Sequence, residues 1–304
     1  KNPNALQTRA AKGLKADFKL LTTGTPVENN LSEFWCLIDT VQPGLLGSWE
    51  QFRDTYVRPI VTSENESEAR LEVGKRLRES VGAFMLRRMK EGNLKGLPKK
   101  HIFTGVKESS QSGIVYDKSL ASVMAGKQRT KYEEVVQGFH NARSVGEGQG
   151  QALAALLALR RISLHPDMDD ERSLISSNRK EARRHIEASG KLRSTILQLD
   201  KIRKAKEKVI VFAMTKKLQR LLKIWLEAIY AVPVEIINGD TKAVTVNKDS
   251  ETRRTIIEAF EKRKGFGILI MSPIAAGVGL TIIGANNVIH LERHWNPAKE
   301  AQAT

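Results

Sequence analysis

The sequence predicts an α/β protein in which a parallel sheet is flanked by helices and a helical insertion precedes it. Three observations point there. After Ser189, β-rich apolar runs alternate with helix-patterned segments, and strands joined by crossover helices pair in parallel with helices on both faces. Between 105 and 188 the pattern is mostly helical, with little strand signal. Before that, a single short strand-like run lies among helices. The expected division is 1–104, 105–188 and 189–304.

Each element has a local reason. A basic, helix-like stretch runs to about Lys15, and Phe18–Thr22 reads as a strand ending at the turn Thr23-Gly24-Thr25-Pro26. Asn30 followed by Glu33 is a capping pair, and Leu31, Phe34, Trp35 and Ile38 form the apolar face of the helix it opens. Cys36 falls among these apolar residues and reads as core. Pro43-Gly44 closes the helix. Residues 61–70, polar and acidic, read as a loop, and Val73, Leu77, Val81 and Met85 then carry a helix to Arg87-Arg88. Ala152–Leu159 is strongly helix-forming and closes over Arg160–Pro166. Ser144–Gly150 and Asp167–Arg184 read as exposed connections.

In the last third, Val209–Met214, Val234–Ile237, Ile268–Met271 and Val288–Leu291 are the expected strands. Leu218, Leu221, Leu222, Trp225, Leu226 and Ile229 make a 3.6-residue stripe, and Ile256, Ile257 and Phe260 mark another helix. Ligands of such sheets bind beyond the carboxyl ends of the strands. That rule selects Thr215, Asn238–Asp240, Ser272–Gly279 and Glu292–Trp295.

Composition bounds the function. Fifty Lys and Arg against 34 Asp and Glu give a net charge of +16, and residues 171–220 hold 15 of the basic and 5 of the acidic residues. Such an excess suits a polyanion partner, although any one cluster is equally readable as a solvated helix face. One cysteine excludes an internal disulfide and suits a reducing compartment. Neither a signal-peptide pattern nor a run approaching about 20 apolar residues is present. His165 lacks His or Cys partners at ligand spacing, so no metal is expected on it.

A phosphate-binding loop and an acidic magnesium box were sought. Gly190-Lys191 comes nearest, but His185 stands where the loop needs glycine, and no Ser or Thr follows. The ordered blocks are more telling. They are Lys1-Asn2-Pro3, Leu21–Pro26 with Asn29-Asn30-Leu31, Leu86–Lys90, Leu97–Lys100, Leu159–Ile162 ahead of His165-Pro166, Ser189–Leu192, Lys208–Thr215, Asn238-Gly239 and Arg253–Phe260. The series closes with Gly267–Leu280 and Val288–Thr304, which holds Trp295-Asn296-Pro297 and Gln302. In this order they resemble the Swi/Snf-type DNA-dependent ATPases of helicase superfamily two, over nearly the whole chain. Departures are Glu28 for the usual Gln, Ala276 for the first of a glycine pair, and an apparent insertion at Lys242–Ser250.

The resemblance implies the later part of a first RecA-like lobe, a helical insertion, and most of a second lobe. It implies ATP and Mg2+ as cofactors of the intact protein and double-stranded DNA as partner, with this chain beginning after the acidic box and inactive alone. It assigns Thr23, Gly24, Thr25, Gly277, Gly279 and Gln302 to the nucleotide cleft and its coupling. Thr215, Asn238, Gly239, Ser272, Ala275, Trp295, Arg87 and Arg88 become DNA contacts. On spacing alone, Thr23–Pro26 is equally a plain turn, Gly277 and Gly279 a tight turn, Arg87-Arg88 a solvated helix end, and Trp295 core. Alternatives are a DNA-binding clamp without hydrolysis, an RNA helicase or restriction-type translocase, and a scaffold without a nucleic-acid role. Compact inserts lean toward a prokaryotic, cytoplasmic protein; a eukaryotic one would be nuclear.

Overall fold

The computed structural model describes residues 2–28, 30–88, 96, 99–106, 114–144, 148–242, 252–276, 280–296 and 300. It divides into two compact units, residues 1–99 with 296–302, and 100–295 with 303–304.

The regular elements among the described residues of the first unit are helices. Helices α1 (Leu6–Gly13), α2 (Leu31–Val41), α3 (Trp49–Phe52), α4 (Arg58–Thr62) and α5 (Glu66–Val81) carry it, with a π-turn at Arg53–Val57 joining α3 to α4. Phe34, Ile38, Leu46, Phe52, Val73, Leu77 and Val81 form the core, and Trp35, Trp49 and Tyr56 pack against it. Cys36 is buried as expected. Asn30 caps α2 through the Ser32 N–H, but Glu33 reaches past the cap to accept from the Glu28 N–H at 2.6 Å. Lys12 ties α1 to α2 through Asp39, at 2.5 Å, and the face of Trp35.

Two expectations fail here. Residues 18–22 form no strand, and Phe18 and Leu20 are 80% and 79% exposed. A strand exists only through ladder bonds to a neighbour, and none is present among the described residues of this unit. The acidic stretch expected as a loop is helical from Glu66, because the Asn65 side chain caps the Glu68 N–H and the first turn carries Glu66 and Glu68.

The second unit is built on a four-stranded parallel sheet. In chain order come β1 (Ile102–Thr104) and β2 (Ile114–Tyr116), a short parallel pair of their own, then β3 (Lys208–Phe212), β4 (Val234–Ile237), β5 (Gly267–Met271) and β6 (Asn287–His290). The main sheet has the order β4-β5-β3-β6. β3 and β5 are central, and their Val, Ile, Leu and Phe residues are buried on both faces. The β1–β2 pair was missed in the sequence because three half-exposed residues carry no period.

Helix α6 (Gly126–Ser144) packs against α7 (Gly148–Leu164). On one face of the sheet lie the end of α7, the short α8 (Glu171–Leu174), α9 (Arg179–Glu187), α10 (Gly190–Lys204) and the crossover α11 (Lys216–Tyr230), whose apolar residues join the larger core. The other face is covered by α12 (Arg253–Lys262), the turn α13 (Pro273–Ala276) and Leu280, Ile282 and Ala285. The predicted stripe of α11 is wholly buried, with Trp225 at its centre. Asp167–Arg184 is not an exposed connection. Met168, Leu174 and Ala182 are buried, because α9 packs on α11 and the Trp225 Nε1–H donates to the Leu174 carbonyl at 2.8 Å.

Beside Trp225, His165 has a defined tautomer. The Asp167 N–H donates to Nδ1 at 3.0 Å, so Nε2 carries the proton and donates to the His185 carbonyl at 3.0 Å. Burial pushes its pKa down from 6.5 to about 4. Below pH 6.5 the unfolded chain takes up a proton that the folded chain refuses, so stability present above that pH falls as the solution is acidified. The expected loss is about 3 kcal/mol by pH 4. Urea unfolding at pH 7, 5.5 and 4.5 measures it, and His165→Gln should flatten the dependence. An equal slope in the variant would assign the acid sensitivity to other groups.

Candidate nucleic-acid interface

The parallel register sets the carboxyl ends of four adjacent strands side by side: Asn238 after β4, Ser272 after β5, Thr215 after β3 and Glu292 after β6. Adjacent strands lie about 4.8 Å apart, so this edge is about 14 Å long. Backbone bonds continue the ladder past the strands. The Ser272 N–H donates to the Ile237 carbonyl at 2.9 Å, and the Leu291 and Glu292 N–H groups both donate to the Phe212 carbonyl.

A buried carboxylate organises one half of the edge. Glu292, 3% exposed, accepts from the Met214 N–H at 2.8 Å, the Thr215 N–H at 2.7 Å and the Thr215 hydroxyl at 3.0 Å. The Arg160 Nε lies 3.5 Å from its other side. The Thr215 hydroxyl proton is committed to Glu292, so this residue shapes the β3–α11 turn and offers an approaching phosphate no hydroxyl donor.

The other half is organised by Gln219, fully buried on α11. Its amide donates to the Ala213 carbonyl and accepts from the Asn238 side-chain amide, both at 2.7 Å. Asn238 in turn accepts from the Asp240 N–H, and its own N–H donates to the Thr241 hydroxyl. Arg253 at the start of α12 closes the loop, donating to the carbonyls of Thr241 and Asn238. A bridge between Lys242 and Thr252 joins the two ends of the apparent insertion; residues 243–251 lie outside the described residues.

Gly239 is different. It is exposed, its backbone is not left-handed, and an added Cβ would meet nothing within 4 Å. Nothing in the fold requires glycine there. Gly190, by contrast, packs against the Ser122 and Val123 carbonyls, where a Cβ would stand 3.2 and 3.1 Å away, and its N–H donates to Gln128. Its glycine serves packing rather than a phosphate.

Ser272 and Ala275 are largely buried in the turn after β5, with the Ala275 N–H donating to the Ser272 carbonyl. Trp295 is 63% exposed, the opposite of core, and the Arg160 guanidinium lies over one face of its ring, 5.0 Å from the centroid. Thr23, Gly24, Thr25, Arg87 and Arg88 belong to the other unit. There the Thr25 N–H donates to the Thr23 hydroxyl and the Thr25 hydroxyl to Glu28, while Arg87 and Arg88 are exposed. Gly277, Gly279 and Gln302 lie outside the described residues, as does Pro297.

Several basic residues between 171 and 220 are engaged by neighbours in their own unit. Arg193 donates to the Glu187 and Val123 carbonyls, Lys208 to Glu261 and Lys217 to Asp169, while Lys201 pairs with Asp117 and Arg220 with Glu171. Lys216, exposed at the strand ends, pairs with Asp240 at 2.5 Å. Sequence reasoning had not singled out Glu292, Gln219, Arg253 and Arg160 as organising residues. A carboxylate closing an apolar strand was a usable signal for Glu292; Arg160 read only as a helix end.

The parallel sheet flanked by helices is a RecA-like fold, and comparison with known families gives its class. Residues 1–168 match the SNF2-related domain and residues 190–304 the helicase conserved C-terminal domain. The chain belongs to the SNF2-related family. It is 36% identical over its whole length to the Zorya protein ZorD of Escherichia coli O139:H28 (strain E24377A / ETEC), and 31% identical to the putative ATP-dependent helicase/translocase YwqA of Bacillus subtilis (strain 168). It spans 26% of the first and 30% of the second. Among solved structures, the Sulfolobus solfataricus SWI2/SNF2 ATPase core in complex with dsDNA is 25% identical at a TM-score of 0.49, over 97% of this chain and 56% of that one. Among the described residues, no helix is long and apolar enough to cross a membrane.

Proposed function

We propose that this chain is the duplex-engaging part of an ATP-dependent double-stranded-DNA translocase, and that the carboxyl edge of its sheet tracks one DNA strand. The observation that carries this is that Asn238-Gly239, Ser272 and Trp295 all follow strands that end at the same edge of the sheet. About 14 Å of edge matches roughly four nucleotide rises of a single strand. Gly239, which the fold does not require, permits close approach of a sugar–phosphate backbone. The Ser272 hydroxyl, although 9% exposed, is proposed to donate to phosphate oxygens. Trp295 supplies an apolar face. In the other unit, Thr23, Gly24 and Thr25 are proposed to serve the nucleotide cleft and its coupling to DNA, as are Gly277, Gly279 and Gln302; Arg87 and Arg88 would supply phosphate contacts.

Among the described residues, no group of three His, Cys, Asp or Glu side chains could hold a metal ion. ATP and Mg2+ are therefore proposed for the whole protein on family grounds alone, and no step is derived through them.

The test is ATP hydrolysis by the full-length protein with and without duplex, across a salt series. Stimulation by duplex that fades as salt rises, with a log–log slope of about −0.9 per phosphate neutralised, supports the motor. Duplex binding without hydrolysis leaves the clamp. Gly239→Val gives a sharper check: unfolding should move by no more than about 0.5 kcal/mol, while duplex affinity falls at least about tenfold. Unchanged affinity would remove Gly239 from the interface.

A further inference from the structure

We propose that Arg160 is a positioning residue that holds Trp295 in its duplex-binding orientation, an inference that rests on the reading of the strand-end edge given above. Arg160 sits near the end of α7, 133 residues before Arg293, yet its guanidinium is shared by both loops flanking Trp295's site. Its Nη2 donates to the Arg293 carbonyl at 3.1 Å and approaches the Met214 sulfur at 3.2 Å. Its Nε faces the buried Glu292 carboxylate at 3.5 Å. The Cζ of the same group lies over the Trp295 ring, 5.0 Å from its centroid.

Three features give this contact a role beyond packing. First, Trp295 is 63% exposed, so its own burial does little to select a rotamer; the covering guanidinium does. Second, the Arg160 side chain is only 23% exposed and already holds fixed acceptors, which leaves it poorly disposed to leave the ring for a phosphate. Third, a planar cation on one face leaves the opposite face for a flat or apolar ligand surface, such as a deoxyribose or an unstacked base. Arginine's rigid fork matters here, because a lysine cannot donate to the carbonyl and cover the ring with one planar group. Arg160 thus links the helical segment before the sheet to the strand-end edge.

The experiment has two arms on the full-length protein. In the first, 5-fluorotryptophan labelling resolves Trp295 by 19F NMR without DNA, its signal assigned by W295F. Arg160→Gln should shift and broaden that signal while the other tryptophan signals stay in place, and should lower the melting midpoint because buried Glu292 loses its cation. An unmoved Trp295 signal overturns the proposal. In the second, duplex affinity is measured for R160Q, W295A and the double variant. Each single change is expected to weaken binding about tenfold, and the double change no more than W295A alone. The salt slope should be unchanged in R160Q, and Arg160→Lys should stay within about threefold of R160Q. Additive losses near a hundredfold, with the salt slope reduced by about one, would make Arg160 a phosphate contact and overturn positioning. Parental affinity in W295A would sink the duplex reading of this edge and the functional half of the proposal with it, while the NMR arm would still report whether Arg160 sets the ring.

Discussion

Glu292→Ala is expected to destabilise the second unit by about 3–5 kcal/mol, the cost of removing one partner from a buried charged network. The carboxylate holds two backbone N–H groups and a hydroxyl from the β3–α11 turn, and it faces Arg160. Removing it strands three donors that no described neighbour replaces and leaves the Arg160 charge without its carboxylate. Glu292→Gln keeps the volume and one acceptor oxygen, so about half the loss should return. Urea unfolding followed by near-UV circular dichroism measures both. If the alanine variant unfolds at the parental midpoint, the strand-end edge is organised by something other than this carboxylate.

Trp225→Ala should cost as much, about 3–5 kcal/mol, because it empties a fully buried site. The ring lies 5.7 Å from His185 and 5.8 Å from His165, and its N–H reaches the Leu174 carbonyl. It therefore joins α11 to the segment that precedes the sheet. Trp225→Phe keeps most of the apolar volume but leaves that carbonyl without its donor, for an expected loss of about 1–3 kcal/mol. Thermal melts order the three proteins. Equal midpoints for Phe and Ala would mean that the hydrogen bond, not the volume, is what holds the segment down.

Sequence and structure divide along physical lines. The last third was legible because its signals are local and strong. Val234–Ile237 is a strand as read, and the α11 stripe faces the core as its 3.6-residue period requires. The strand-end rule needed only the order of elements to put Thr215, Asn238 and Ser272 at the carboxyl ends of strands, as the sheet has them. Family membership was legible too, because many short blocks in fixed order are jointly specific even when each is weak.

What failed had a common cause. Phe18–Thr22 has the composition of a strand, but a strand is a relation to a neighbour, and composition cannot supply one. Asp167–Arg184 looks solvated because charge dominates it, yet Leu174, Ala182 and Ile186 suffice to seat it once Trp225 is there to receive them. Among the clustered basic residues, Arg193, Lys201, Lys208 and Arg220 each turn to a different acceptor, which composition does not reveal.

By itself, then, the sequence determined the class of fold, the family, and which loops meet at the carboxyl edge of the sheet, all of which follow from periodicity and order along the chain. Only the tertiary structure decided that the Thr215 hydroxyl donates to Glu292, that Gly239 is free of any packing duty, and that Glu292, Gln219, Arg253 and Arg160 hold the edge together. Those roles depend on partners as many as 133 residues away, and distance along the chain carries no signal of contact in space.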